Sequence, residues 1–389
     1  MSINNRRRYL APWGRPAEAW GVDVPDGGGG AGRTSGVGMV GESRPDVLDG
    51  RPAMYHCVSR VVDRTFRLGP AEKEFFVRRM KSQAGYCRVR ILAFCVMDNH
   101  FHLLAEVPSA PETPPSDEEL AAHVGRTCGS ARGDSLRAQI EDMRERGLHA
   151  QAEALKARHL RRMHDLSVFM QELKQSFSRW FNGRHGRQGC LWEERFRSVL
   201  VEAGQAARVV SAYIDLNPVR AGIVEKAEEY RWSGWGEAVA GGVEARSGVS
   251  RVMLERELGR SNPELALRDT ERWEDVAAEY SQLMEHDRER CPARRADRAD
   301  AGACARPHED PDVGPKSRRR RPRRLESALV HERTRVLTEG MVFGCETFVE
   351  ALFQATRDRF PPGRRSGARR IAGIETGLRT MRALRPGPT

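Results

Sequence analysis

The segment of sequence that decides the fold is Val96-Met97-Asp98-Asn99-His100-Phe101-His102-Leu103-Leu104. It joins two apolar runs, residues 89–97 and residues 101–107, through the polar pair Asp98-Asn99. Asp and Asn favour turns because their short side chains hydrogen-bond to the neighbouring backbone. The segment therefore predicts a β-hairpin at the centre of a folded domain.

The sequence on either side of this hairpin completes a recognisable order of elements. A strand is predicted at 54–62 and a helix at 71–83, opened by Pro70. An amphipathic helix follows at 168–181, then a strand at 195–201 and a helix at 205–217 that Pro218 stops. This order predicts an α+β fold of the ferredoxin-like sort, an antiparallel sheet with helices packed on one face.

The remaining segments predict appendages to a domain at 51–240. Residues 109–165 are highly charged and helical in character, which indicates an insertion with a solvated surface, DNA contact being the alternative. Residues 1–50 are Gly-rich with little apolar periodicity, so we expect a disordered arm. A helical extension is predicted at 241–287, a basic disordered linker at 288–325, and a small helical C-terminal region at 326–389.

The charge balance favours a polyanionic partner. Lys and Arg exceed Asp and Glu by 65 to 54, a formal net charge of +11. The basic run of the linker, whose DNA-binding candidates are Lys316, Arg318, Arg319, Arg320 and Arg321, is interpreted equally well as a solvated tether or as a phosphate-binding segment. Charge alone does not separate DNA from RNA or from an acidic membrane.

Composition also indicates the compartment. No stretch approaches the roughly 20 apolar residues that span a bilayer, so membrane insertion is not expected. The eight cysteines form no C-x-x-C pair, which argues against a zinc ribbon and a disulfide framework. We therefore expect reduced thiols and a cytoplasmic protein, associated with the nucleoid when it is bound to DNA.

The hairpin contains the first candidate for chemistry. In a strand over residues 100–107, alternation places His100 and His102 on one face, while Phe101 and Leu103 anchor the other. Two neighbouring imidazoles at the mouth of a hairpin can coordinate one divalent ion. The simpler interpretation is that two histidines fell on a polar sheet face, and H-x-H alone does not exclude it.

A second candidate is the block from Tyr213 to Gly222, which contains Asn217-Pro218. Tyr213 and Asn217 are four residues apart, so a helix would present the phenol and the amide on a shared face. Tyr213 could equally be a core aromatic, and Asn-Pro is a common helix-stop signal. By itself this block is ambiguous.

Taken together, these segments resemble the HUH single-tyrosine transposases, in particular the REP-associated tyrosine transposases and the single-strand insertion-sequence transposases. The resemblance covers roughly residues 52–236. It rests on four motifs, His100-Phe101-His102, Leu191-Trp192-Glu193-Glu194-Arg195-Phe196-Arg197-Ser198, the Tyr213-to-Gly222 block and Tyr230-Arg231-Trp232-Ser233.

The resemblance implies a metal-dependent endonuclease and strand transferase that acts on single-stranded or hairpin DNA through a 5′-phosphotyrosine intermediate. His100 and His102 would ligate Mg²⁺ or Mn²⁺, and Tyr213 would be the nucleophile. Asn217 would take the place of the third polar ligand, where the family has a charged residue or Gln. Arg195 and Arg197 are candidate phosphate contacts, with Trp192 interpreted as a core residue rather than a base-stacking platform. The resemblance is compatible with either a monomer or a homodimer.

Three alternatives remain at this point. The chain could be a domesticated hairpin-DNA-binding protein, or a replication-initiator or relaxase-like nickase, although it has no phosphate loop of an associated helicase. It could also be a metal hydrolase in which Asp98 and Glu106 join the histidines.

Overall fold

The computed structural model describes residues 52–62, 67–254, 271–285, 335–371 and 376–381. The predictions made for residues 1–50 and 288–325, with Lys316, Arg318, Arg319, Arg320 and Arg321 among the latter, lie outside the described residues.

The described residues form one six-stranded sheet in the order β2-β3-β1-β4-β5-β6. The strands are β1 (Ala53–Arg60), β2 (Arg90–Val96), β3 (His100–Val107), β4 (Arg197–Val201), β5 (Val342–Cys345) and β6 (Leu378–Thr380). The predicted hairpin is confirmed, since β2 and β3 pair antiparallel across Asp98-Asn99. With β1 between β3 and β4, and antiparallel to both, the first four strands have the predicted ferredoxin-like arrangement.

The described residues contain twelve α-helices. The core and the insertion contain α1 (Pro70–Cys87), α2 (Asp117–Cys128), α3 (Ser130–Glu145), α4 (His149–Leu160), α5 (Leu166–Arg184) and α6 (Gln205–Asp215). After them come α7 (Asn217–Arg220), α8 (Gly234–Val239), α9 (Val243–Met253), α10 (Glu271–Glu285), α11 (Arg335–Glu339) and α12 (Glu346–Ala355). Among the described helices, none is both long and apolar enough to cross a membrane.

Helices α1 and α5 pack on one face of the sheet, as predicted. Phe76 of α1 and Phe177 of α5 meet Phe101 of β3 in a buried core. The charged insertion is helical, as expected, and the apolar residues Leu120, Val124, Leu136 and Ile140 of α2 and α3 join the same core. The insertion is thus packed against the domain along one side while its charged residues face outward.

The opposite face of the sheet is also covered, and this second layer positions the candidate site. Helix α6 lies over Leu104 of β3 and Val199 of β4, and α8, α9 and α10 pack around α6. Alternation along β3 explains the division, because Phe101 and Leu103 enter the first core while Leu104 enters the second.

The C-terminal region differs from the prediction of a small helical unit. It contains α11 and α12, but it also supplies β5 and β6, and β5 pairs parallel to β4 of the domain. These strands have four and three residues, too short to give a periodic signal in the sequence. Residues 335–381, where described, therefore extend the same sheet.

Candidate functional site

The site begins at the turn between β2 and β3, which the surrounding chain holds in place. The Lys73 ammonium, on α1, pairs with the Asp98 carboxylate. The Asn99 carbonyl accepts a hydrogen bond of 2.8 Å from the Val61 amide, and the Asp98 carbonyl accepts from the Leu68 amide at 3.0 Å. These bonds fix the point at which the histidine strand begins.

Three imidazoles, not two, lie at this end of the sheet. His100 and His102 share a face of β3 with their ring centroids 5.0 Å apart, and the ring of His56 on β1 lies 5.2 Å from that of His102. Sequence reasoning missed His56. Alternation along β1 predicts only which face of the strand His56 lies on. The proximity of His56 to His102 depends on the register between β1 and β3, which pairs Val58 with His102 and His56 with Leu104.

His100 and His102 form their hydrogen bonds through the same ring atom. His100 Nδ1 donates to the Asn99 side-chain oxygen at 2.7 Å, and His102 Nδ1 lies 3.0 Å from His56 Nε2. Because both Nδ1 atoms form hydrogen bonds, an ion would be held through Nε2 of each ring. A hydrogen bond at the far nitrogen is the usual arrangement for a metal-binding histidine.

Burial keeps the two inner imidazoles neutral. His56 and His102 are fully or almost fully buried, with exposed fractions of 0% and 2%. Burial lowers the pKa of His56 to about 4, although its bond to the Leu337 carbonyl opposes that shift. Burial, followed by electrostatic interactions with His100, His56, Arg220 and Arg60, holds the pKa of His102 well below its ordinary value. Neutral imidazole is the form that binds metals.

Helix α6 places Tyr213 against these histidines. The Tyr213 ring meets the His102 ring edge-on with centroids 5.8 Å apart, and it meets the His56 ring in the same way at 6.0 Å. The Arg220 guanidinium lies 4.2 Å above the Tyr213 ring and donates to the Tyr213 carbonyl. The structure therefore brings together the tyrosine and the histidine pair that the sequence singled out.

Asn217 lies just beyond the helix that was predicted to contain it. Proline has no amide hydrogen and its ring clashes with the preceding turn, so α6 ends at Asp215 and Pro218 enters the short helix α7. The Asn217 Nδ2 donates to the carbonyls of Tyr213 and Ile214 at 3.1 Å each, which satisfies groups left by the helix end. Its Oδ1 is the atom that could ligate an ion, and this role stays a prediction.

The candidate phosphate contacts differ in their surroundings. Arg195 is exposed, whereas Arg197 is half-buried and pairs with Glu194 at 2.7 Å and Glu339 at 3.2 Å. Together with Arg60, both line a small cleft beside β1. A phosphate at Arg197 would have to compete with two carboxylates, so Arg195 and Arg60 are the better placed cations of this cleft.

Trp192 is a core residue, as the sequence analysis favoured. Its side chain is 5% exposed and its indole nitrogen donates to the Lys174 carbonyl at 3.2 Å. The ring packs among Phe76, Phe101 and Phe177, so it is not available for base stacking.

The carboxylates of the hydrolase alternative are engaged elsewhere. Asp98 pairs with Lys73, and Glu106 is fully buried between Arg90 and Arg251, with N–O distances of 2.9 Å to each. Six residues of strand also separate Glu106 from His100, about 20 Å along β3. The structure gives no support to a hydrolase built from these groups.

The donor set fits a divalent ion with few protein ligands. In the ranges that the structure describes, no group of three or more His, Cys, Asp or Glu side chains is arranged to hold a metal. The fit rests instead on the imidazoles of His100 and His102, whose Nδ1 atoms both form hydrogen bonds, with the Asn217 amide oxygen as third candidate. Such a set leaves positions open for substrate oxygens. All six described cysteines are free.

Comparison with known proteins gives one solved structure. It is described as a REP-associated tyrosine transposase bound to a REP hairpin. The chain is similar to it with a TM-score of 0.32 and 16% sequence identity, over 52% of this chain and 87% of that one. No protein-family model and no curated protein matches the chain.

Proposed function

We propose that this chain is a DNA endonuclease and strand transferase of the HUH single-tyrosine kind, acting on single-stranded DNA with Tyr213 as nucleophile. The observation that supports this most is the contact of the Tyr213 ring with His102, at 5.8 Å between centroids, beside the paired His100.

The hydroxyl of Tyr213 differs from those of three other buried tyrosines. The hydroxyl of Tyr230 is bonded to Lys73 and to the Val96 carbonyl, that of Tyr280 to Asp215 and Ser211, and that of Tyr86 to His159 and Arg162. Within the described residues, no hydrogen bond to the Tyr213 hydroxyl is formed. A nucleophile needs an oxygen that the fold has not already committed.

The proposed reaction balances without ATP. The Tyr213 oxygen attacks a backbone phosphorus, a new oxygen–phosphorus bond forms, and the bond to the 3′-oxygen breaks. The phenol proton passes to solvent, and the departing 3′-oxygen takes a proton to become a hydroxyl. The 5′-phosphotyrosine bond retains the energy of the phosphodiester, so a free 3′-hydroxyl can reverse the step and join a new strand.

In this proposal Mg²⁺ or Mn²⁺ would be held by Nε2 of His100 and His102, with Asn217 Oδ1 as third ligand. Such an ion polarises a phosphodiester and stabilises the charge that develops during attack. The residues of the chain orient the strand, since Arg60 and Arg195 can contact phosphates next to the scissile one. Arg220 keeps the Tyr213 ring in place from above.

The test uses single-stranded oligonucleotides that carry the hairpin-forming DNA flanking the gene, labelled at either end. With Mn²⁺, the wild-type protein should form a denaturation-resistant adduct that retains the 3′-end label and releases the 5′-end label. Tyr213→Phe should form no adduct while it still binds the oligonucleotide. His100→Ala and His102→Ala should lose metal-dependent cleavage and largely keep binding.

Tyr86→Phe is the matched control, because it also removes a tyrosine hydroxyl but at a residue that contacts His123 and His159 of the insertion and not His56, His100 or His102. It should form the adduct like the wild type. A Tyr213→Phe protein that cleaves normally would contradict the proposal. A wild-type protein that binds hairpin DNA without cleaving it would instead indicate the domesticated binding protein.

A further inference from the structure

His56 is buried between the C-terminal segment and the candidate metal ligand His102. Its Nδ1 bonds to the Leu337 carbonyl of α11, and its Nε2 lies 3.0 Å from His102 Nδ1. The His56 and His102 rings are nearly parallel, with 21° between their planes. The proposed reaction uses His102 and Tyr213 but not His56, although the His56 ring contacts both of them.

The protons in this chain of contacts can be placed by elimination. A carbonyl oxygen only accepts, so His56 Nδ1 must donate to Leu337. A neutral imidazole has one N–H, so His56 Nε2 must accept, and His102 Nδ1 must donate to it. His102 then has its lone pair on Nε2, the atom proposed to hold the ion.

The C-terminal segment is fixed to the domain at the place where it contacts His56. Leu337 is fully buried, Glu339 pairs with Arg197 of β4, and β5 extends the sheet next to β4. The carbonyl that binds His56 is therefore part of a packed element. Residues outside the sequence resemblance thus reach the centre of the candidate site.

We propose that His56 is a positioning residue, held by the Leu337 carbonyl, that fixes the tautomer and orientation of His102 so that Nε2 faces the ion. This inference rests on the proposed function, because it takes His102 as a metal ligand. The competing role for His56 is that of a third ligand, which would require its Nε2 to leave His102.

The first measurement needs no metal. In full-length protein labelled with ¹⁵N at histidine, long-range ¹H–¹⁵N spectra distinguish the two neutral tautomers. His56 and His102, assigned by their loss in His56→Gln and His102→Ala, should both show the proton on Nδ1. A proton on Nε2 of His102 would overturn the inference.

The second measurement is Mn²⁺ binding by calorimetry for two variants at position 56. His56→Leu fills the space without a hydrogen bond and should weaken binding by roughly 10–100-fold, the usual effect of removing such a partner. His56→Gln can donate to Leu337 and accept from His102, so it should recover most of the affinity. If His56 were instead a third ligand, His56→Gln would also lose a direct bond to the ion and would bind Mn²⁺ about as weakly as His56→Leu, and that result would overturn the inference.

His123→Leu is the matched control. His123 is also buried and contacts a backbone carbonyl, that of Tyr86 at 2.9 Å, but it lies in the insertion. It should bind Mn²⁺ like the wild type, and urea unfolding should show that each variant is folded. A folded His56→Leu protein with wild-type Mn²⁺ affinity would overturn the inference.

The two proposals fail in different ways. If the wild type forms the DNA adduct but His56→Leu binds Mn²⁺ normally, only the positioning role is wrong. If Mn²⁺ affinity depends on His56 but no adduct forms, only the proposed function is wrong.

Discussion

Replacing Asp215 with Asn should change how the stability of the protein depends on pH. Asp215 lies on α6, two residues after Tyr213, and is fully buried. Its carboxylate accepts from the Tyr280 hydroxyl of α10 at 2.7 Å and from the Trp235 amide at 3.1 Å. These bonds tie the helix that contains the candidate nucleophile to the outer helices.

The size of the effect follows from the burial of this carboxyl. Burial raises the pKa of Asp215 from 3.8 to about 7, against the two hydrogen bonds that lower it. At pH values between 3.8 and about 7, the Asp215 carboxyl has lost its proton in the unfolded chain but keeps it in the folded protein. Stability therefore falls as pH rises through this window, by about 1.4 kcal/mol per pH unit and roughly 4 kcal/mol in all.

Asn cannot ionise, and it can satisfy the same partners. Its oxygen accepts from Trp235, its amide donates to the Tyr280 oxygen, and the Tyr280 hydroxyl turns to Ser211, 2.8 Å away. The free energy of unfolding, measured with urea at pH 4 to 8, should therefore shift in favour of Asp215→Asn by roughly 4 kcal/mol across the range.

Asp142→Asn is the control for this experiment, because Asp142 is an exposed carboxylate paired with Arg146 on the insertion. The loss of roughly 4 kcal/mol between pH 4 and 8 that Asp215→Asn is expected to remove should remain in this variant, because it keeps Asp215. A stability difference between Asp215→Asn and the wild type that stays constant with pH would refute the reasoning that burial dominates at Asp215.

Two further predictions concern the rest of the chain. Glu106→Gln leaves Arg90 and Arg251 without their buried carboxylate and should cost roughly 3 kcal/mol in urea unfolding, yet the DNA adduct should still form. Loss of the adduct in folded Glu106→Gln protein would contradict the conclusion that Glu106 lies outside the site. Deleting residues 315–325 should flatten the plot of log DNA affinity against log salt, because fewer phosphates are neutralised; an unchanged slope would make the basic run a tether.

Much of the fold follows from local sequence patterns. The turn pair Asp98-Asn99 predicts the hairpin, and alternation along β3 assigns His100 and His102 to one face and Phe101 to the other, as the structure has them. The amphipathic spacing of α5 likewise predicts its packing on the sheet. These signals are strong because they come from residues close together in the chain.

The features that sequence reasoning missed depend on distant contacts. His56 meets His102 across 46 residues and Leu337 across 281, and neither contact leaves a periodic trace in the sequence. Strands β5 and β6 are too short to be distinguished from turns without their neighbours. Pro218 signals that the helix containing Tyr213 ends nearby. The hydrogen bonds from Asn217 to the carbonyls of Tyr213 and Ile214 could not be inferred from the sequence.

The most direct test of the central claim is to identify the residue bonded to DNA. Wild-type protein is incubated with Mn²⁺ and the 3′-labelled hairpin oligonucleotide, the adduct is digested with protease and nuclease, and the modified peptide is sequenced by mass spectrometry. We predict a nucleotide phosphate on Tyr213. A phosphate on Tyr55, Tyr86 or Tyr230, or the absence of any covalent adduct under conditions in which the DNA is bound, would contradict it.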